Sequence, residues 1–253
     1  MKVNPSTGWR EVRQIPRVVP AEIQVWRVNL LAPTGEVSQL RMLLSAQEKN
    51  QAAQFHFAHD HRRFIIRRAV LRQLLAVNLG LRPEEIQIDG TGFKKPQITT
   101  AQNPLQLQFN SSHASDWALI ALAQNCELGV DIEKHHHLPE RADLAKKFFS
   151  EAEVRELNRL TEPARTEGFF NCWTRKEAFV KAIGQGLAFP LNHFSVSLTP
   201  EQPATILEVT SEYPAALEPW SMTAIDVMPG FSAALVFAGD LTSLSFLDWQ
   251  VAN

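Results

Sequence analysis

Cysteine is scarce. Two residues, Cys126 and Cys172, in a chain of 253 leave no room for a disulfide framework, and they are not spaced as a metal-binding C-x-x-C pair. Two reduced thiols are the expectation, as in a cytoplasmic protein. The first twenty residues hold Lys2, Arg10, Arg13 and Arg17 but no apolar stretch, so they do not read as a secretory leader. No apolar run is long enough to span a bilayer, and no membrane partner is expected. Charge of either sign is not in excess. With 25 Lys and Arg against 27 Asp and Glu, a net charge of −2 argues against a general polyanion binder. No residue-level repeat or low-complexity linker divides the chain. A hydrophobic share of 45% is enough to bury a core without staples.

The segments that are present alternate in type. Residues 1–20, with three prolines and no periodicity, read as a loose arm. Glu22–Leu31 reads as a strand. Ser45 with Glu48 forms a capping-box pattern for a helix towards Phe57, and a second helix is expected from Asp60 to Asn78, stopped by Gly80 and Pro83. Strands are expected at Glu85–Asp89, Leu105–Phe109, Trp117–Ala123 and Leu128–Glu133. Helices follow at Asp143–Phe149, at Val154–Leu160 behind a capping box of Ser150 and Glu153, and at Glu167–Ile183, ended by Gly184 and Gly186. Strands return at His193–Leu198, Thr205–Thr210, Trp220–Val227 and Phe231–Ala238. This order predicts an α+β fold with an N-terminal half (21–123) and a C-terminal half (124–253) in one unit.

Chemistry first shows in Leu128-Gly129-Val130-Asp131-Ile132-Glu133. Side chains alternate along a strand, so Asp131 and Glu133 share a face and repel unless a positive charge lies between them. A hard divalent cation such as Mg²⁺ would answer that. A solvent-facing strand end kept soluble by acidic residues is the plainer alternative. Trp173-Thr174-Arg175-Lys176-Glu177-Ala178-Phe179-Val180-Lys181 shifts the balance. Glu177 and Lys181 lie one turn apart on a largely apolar helix, so a third carboxylate and a lysine can line the same cleft.

Other segments suit phosphate. Phe109-Asn110-Ser111-Ser112-His113 reads as a loop between strands with several hydrogen-bonding groups, and Lys94-Lys95-Pro96 puts two ammonium groups before a rigid turn. Arg62, Arg63, Arg67, Arg68 and Arg72 interleave with apolar residues on the second helix. Those nearest the core need an anion, whether an internal carboxylate or a ligand phosphate. No aromatic stacking array supports nucleic acid. His135-His136-His137 reads as a loop, since adjacent residues do not readily converge on one ion.

Taken in order, Lys95-Pro96, Phe109-Asn110-Ser111-Ser112-His113, Gly129-Val130-Asp131-Ile132-Glu133, Phe148-Phe149-Ser150 with Glu153, and Trp173-x-x-Lys176-Glu177-Ala178-Phe179-Val180-Lys181 resemble the 4′-phosphopantetheinyl transferases of the surfactin-synthetase-activating type. The resemblance runs from about Ser45 to Leu198. It implies a pseudo-dimer of two similar halves, each a small antiparallel sheet packed with helices, with coenzyme A in the cleft between them. It further implies Mg²⁺, or Mn²⁺ in its place, on Asp131, Glu133 and Glu177. Coenzyme A would be bound by Arg63, Lys95, Asn110, Ser112 and His113, and its diphosphate by Lys176 and Lys181. Glu177 would take the proton of a carrier-protein serine while Lys181 assists the departing 3′,5′-ADP. The partner is then an apo acyl or peptidyl carrier protein, met by residues about Gly184 to Phe194, and the enzyme a cytoplasmic monomer. Two positions depart from the pattern: Gln51, where a basic residue is common, and Lys94, where glycine is usual. Lys49 or Lys94 would be the replacement for the missing basic contact. The rival readings are a non-catalytic carrier-binding relative and a Mg²⁺-dependent phosphodiesterase acting on coenzyme A.

Overall fold

The computed structural model describes residues 8–90, 95–184, 186, 189–209, 219–239 and 243–250. In chain order it comprises β1 (Arg10–Glu11), β2 (Glu22–Asn29), α1 (Thr34–Met42), α2 (Ala46–Ala52), α3 (Ala58–Leu79), β3 (Ile88–Asp89), β4 (Gln97–Ile98), β5 (Leu107–Ala114) and β6 (Trp117–Gln124). It continues with β7 (Leu128–Lys134), α4 (Arg141–Phe148), α5 (Glu151–Arg159), α6 (Ala164–Ile183), β8 (Phe194–Val196), β9 (Ile206–Val209), β10 (Trp220–Ala224), β11 (Phe231–Ala238) and β12 (Ser243–Trp249). The class is α+β, as the alternation of segments predicts.

The layering follows from strand alternation. A five-stranded sheet in the order β1-β12-β2-β6-β5 presents Trp26, Val28, Phe109, Ile120 and Leu122 to α3 on its outer face. Its inner face carries Ile23, Val25, Leu119, Ala121 and Ala123, which pack on Leu128, Val130, Ile132, Ala233 and Leu235 of a second sheet, β10-β11-β7. The outer face of that sheet, with Ala234 and Val236, is covered by α6 through Ala178, Phe179 and Ala182. Helix, sheet, sheet and helix are thus stacked, with one long helix outside each sheet. Both long helices end on a glycine in the left-handed region, Gly80 at φ 68° and Gly184 at φ 70°. Both capping boxes read from the sequence are formed, Ser45 with Glu48 and Ser150 with Glu153.

Four expectations need correcting. Residues 109–113 are not a loop: they lie within β5, fully paired with β6 from Leu107↔Gln124 to Ala114↔Trp117. The described part of the amino-terminal arm is docked. Trp9 packs edge-on against Phe246, β1 pairs with β12, and the Val18 amide donates to Asn78 Oδ1 at 2.8 Å. The five-stranded sheet is mixed, because β12 enters it parallel to both β1 and β2. The extended segment expected at Glu85–Asp89 is a 3₁₀ turn, Pro83–Glu85, followed by the two-residue β3. Thr210, Lys94 and part of the stretch from Gly184 to Phe194 lie outside the described residues.

Candidate active site

Gly129 sets how closely β7 and α6 approach. A Cβ at this position would fall 2.1 Å from the Ala178 carbonyl oxygen and 2.4 Å from the Ala182 amide nitrogen. Only glycine allows the helix backbone to rest on the strand there. Glu177 and Lys181 each stand one residue before these contacts, and Asp131 and Glu133 follow Gly129 on the face of β7 opposite Val130 and Ile132. A strand and a helix far apart in sequence thereby bring their charged side chains to one place.

Asp131 is the centre of that place. Its Oδ1 accepts from Lys181 Nζ at 2.6 Å and from Ser112 Oγ at 2.7 Å. Its Oδ2 is shut off from solvent and has no partner among the described residues. Burial, and then the Asp131 charge, push Glu133 up to about 7; Glu177 adds to the push, while Lys181 and His136 oppose it. Glu177 is raised by burial and then by Asp131, with Lys181 opposing. The three carboxyls therefore sense one another across the α6–β7 junction. Among the described residues, no three Asp, Glu, His or Cys side chains close around one metal-sized position. The cation in contact with Asp131 is the Lys181 ammonium. Even so, an orphaned carboxylate oxygen beside two carboxyls raised by burial and then by like charge is an all-oxygen donor set, and it fits a hard dication.

The remaining predicted residues divide by location. Asn110 is buried and its Oδ1 accepts from the Val130 amide at 2.9 Å, so it ties β5 to β7. Lys95 Nζ donates to Glu127 Oε2 at 2.6 Å and to the Ala182 carbonyl at 3.4 Å, placing it just ahead of β7 and beside the end of α6. Arg63 pairs with Asp116 at 2.5 Å in the β5–β6 turn. His113 is lowered to about 4, first by burial and then by Arg67, Lys181 and Arg63, against Asp60. At neutral pH it is an uncharged imidazole that can still give one hydrogen bond.

Lys176 is the clear correction. Its side chain is 0% exposed and pairs with Glu153 at 2.8 Å, and Nζ also donates to the Leu191 and Phe194 carbonyls at 2.7 and 2.6 Å. It fastens α6 to α5 and β8, not to a diphosphate. Glu48 plays the same part for two of the α3 arginines, Arg68 and Arg72, which both donate to it. Burial alone would raise this carboxyl, but the two guanidiniums hold it below the usual range. The histidine triplet does not converge: His135 bonds the Ser232 hydroxyl and His136 the Lys134 carbonyl.

Comparison with known proteins covers most of the chain. A model of the 4′-phosphopantetheinyl transferase superfamily matches residues 127–235, and a model of the N-terminal part of a 4′-phosphopantetheinyl transferase matches residues 32–125. The 4′-phosphopantetheinyl transferase HetI of Nostoc is 34% identical over 185 residues, covering 73% of this chain and 78% of that protein. The chain belongs to the phosphopantetheinyl transferase family. The transferase Sfp of Bacillus subtilis is 27% identical over 88% of this chain and 98% of its own length. A solved structure of a Bacillus anthracis holo-(acyl-carrier-protein) synthase, in complex with CoA, superposes on 44% of the chain at a TM-score of 0.37 and 18% identity.

Within this family member, two contributors escaped the reading of single motifs. Gly129 was legible as a lone glycine inside a strand. Glu153 was legible only as a cap, and its second partner, Lys176, comes from the fold. Of the two departures, Gln51 lies exposed on α2, while Lys49 reaches the Met42 carbonyl at 3.4 Å and Lys94 is outside the described residues.

Proposed function

We propose that this transferase moves the phosphopantetheine arm of coenzyme A onto a serine of an apo acyl or peptidyl carrier protein, acting as a cytoplasmic monomer. The observation that carries this reading is the meeting of Lys181, Ser112 and an unpartnered Asp131 oxygen beside two carboxyls of raised affinity for protons. Asp131, Glu133 and Glu177 would hold Mg²⁺, with Mn²⁺ as a substitute. Bound there, the ion would supply charge neutralisation at the diphosphate.

The chain's own residues account for the rest. Glu177, kept basic by burial and by Asp131, accepts the proton of the carrier serine. The serine Oγ then bonds to the phosphorus that bears pantetheine, and the bond from that phosphorus to the adenosine 5′-phosphate breaks. Lys181 turns from Asp131 to the departing 3′,5′-ADP and offsets the charge gathering on its oxygen. Ser112, His113, Lys95 and Arg63 seat coenzyme A, while Asn110 acts indirectly by fixing β5 against β7. Such in-line transfer depends on positioning and charge more than on a covalent enzyme intermediate.

The test mixes the purified protein with an apo carrier, coenzyme A and Mg²⁺ and weighs the carrier by mass spectrometry. A gain of one phosphopantetheine on the serine is expected, and Glu177→Gln should abolish it while leaving the melting temperature near wild type. Coenzyme A cleaved with no gain on the carrier would favour the phosphodiesterase. Carrier binding with coenzyme A left intact would favour a non-catalytic relative.

A further inference from the structure

Gly129 brings α6 onto β7 at one end of their contact, against Ala178 and Ala182. Side chains fasten the other end. Directly across from Glu133, on β11, stands Ser232, which is 4% exposed. Paired residues on neighbouring strands share a face, so its hydroxyl lies on the carboxylate side of the sheet, towards α6. Ser232 Oγ donates to Asn171 Oδ1 at 2.7 Å, and His135 Nε2 lies 2.8 Å from the same Oγ. Asn171 Nδ2 donates to the Leu198 carbonyl at 3.3 Å, which sets the amide with its oxygen towards Ser232. The hydroxyl proton is therefore committed to Asn171, and His135 Nε2 is the donor in the second bond. The His135 ring also stacks on Phe170 with centroids 5.2 Å apart, and its backbone amide donates to the Gly230 carbonyl at 2.8 Å. Phe170 and Asn171 belong to α6. The helix, β11 and the residue after β7 thus meet at one hydroxyl.

The two fastenings flank the carboxylates. Along β7, Asp131 and Glu133 lie between Gly129 and His135; along α6, Glu177 lies between Asn171 and Ala178. One close contact fixes how near a strand and a helix come, but it lets them pivot. A second contact farther along removes the pivot. The like charges of Asp131, Glu133 and Glu177 act on one another across this junction and favour spreading it. Apolar packing resists such spreading without preferring a direction, whereas hydrogen bonds hold both a distance and an angle.

We infer that Ser232 is a positioning residue for the divalent ion: held between Asn171 and His135, it pins the end of β7 to α6 and sets where Glu133 stands against Glu177. This rests on the reading of the three carboxylates as the metal site. Ser232 and its two partners act through Glu133 and do not themselves hold the ion or coenzyme A. Their loss therefore bears on how tightly the ion is held, and little on the transfer that follows once it is bound.

Mn²⁺ titrated into the full chain, with the free ion followed by electron paramagnetic resonance, reads this without requiring transfer. Each variant is measured at a temperature where circular dichroism shows it fully folded, so that a merely structural role moves nothing. Ser232→Ala should weaken Mn²⁺ binding about tenfold, the scale of losing a group that orients a metal ligand. His135→Leu should lose a similar factor, and it serves as the test variant if the alanine form does not fold. His135→Gln, whose amide nitrogen can still donate to Ser232, should stay close to wild type. In the transfer assay, Ser232→Ala should need more Mg²⁺ for half its maximal rate, by the same factor, with the rate at saturating Mg²⁺ little changed. Unchanged Mn²⁺ affinity in Ser232→Ala and His135→Leu, or equal losses in His135→Leu and His135→Gln, would overturn the role of Ser232 while leaving the metal site intact. A wild-type protein that binds no Mn²⁺ would overturn both.

Discussion

Glu133 shows at the level of one residue what the site asks of its ligand. Burial and the Asp131 charge bring it to about 7 from an ordinary value of 4.5. Between those values the folded chain keeps a proton that the unfolded chain has released, so metal-free stability falls as pH rises through that window. Urea midpoints measured across it should decline, and Glu133→Gln should flatten the decline. The same proton competes with a cation, so Mn²⁺ affinity should climb as pH passes about 7 in wild type and change less in the variant. Asp131, Glu133, Glu177 and Lys181 were legible in the sequence because two simple periods, two for a strand and one turn for a helix, put them on shared faces. Lys176 was not. It sits in the same motif as Glu177, but helical rotation turns it to Glu153, and no local pattern reveals that partner. Removing it as Lys176→Met leaves the buried Glu153 carboxylate without its counter-charge and should cost about 3–5 kcal/mol in urea unfolding. Coenzyme A affinity of the folded fraction should be unchanged; a loss of affinity at full stability would return Lys176 to the ligand.

Among the elements, β5 and the β7–α6 pair decide the site. Asn110, Ser111, Ser112 and His113 are residue types that favour turns, which is why their sequence reads as a loop. Pairing with β6 along the whole of β5 overrides that preference and fixes which of them face α3 and which face β7. The contact of β7 with α6 depends on one missing side chain. Gly129→Ala would place a methyl 2.1 Å from a backbone oxygen that cannot move without shifting α6. A loss of about 3 kcal/mol or more is expected, together with loss of transfer, because Glu177 and Lys181 ride on that helix. A variant of wild-type stability and activity would show that the helix does not rest on the strand as described. The long helices were readable from their terminal glycines, and the shorter α2 and α5 from their capping boxes. The short α1 was not, since Thr34–Met42 has neither a side-chain cap nor a clear apolar stripe.

Across the whole molecule, the two sheets and two long helices enclose one junction, and the last strand closes the first sheet. β12 lies between β1 and β2, with Leu247 and Trp249 buried in the α3-side core. Its partner Glu22–Asn29 is some two hundred residues away in the chain, a separation that period-based reading does not bridge. A chain ended at Gly239 should therefore lose cooperative unfolding of the whole molecule, as read by circular dichroism, although it keeps every proposed site residue. The central claim is narrower: Asp131, Glu133 and Glu177 hold one divalent ion against the diphosphate of coenzyme A. A crystal grown with coenzyme A and Mn²⁺ tests it through the anomalous signal of manganese. One peak bonded by all three carboxylates, with Lys181 moved from Asp131 to a phosphate oxygen, is the predicted result. A peak elsewhere, or Glu177 turned away from it, would contradict the account.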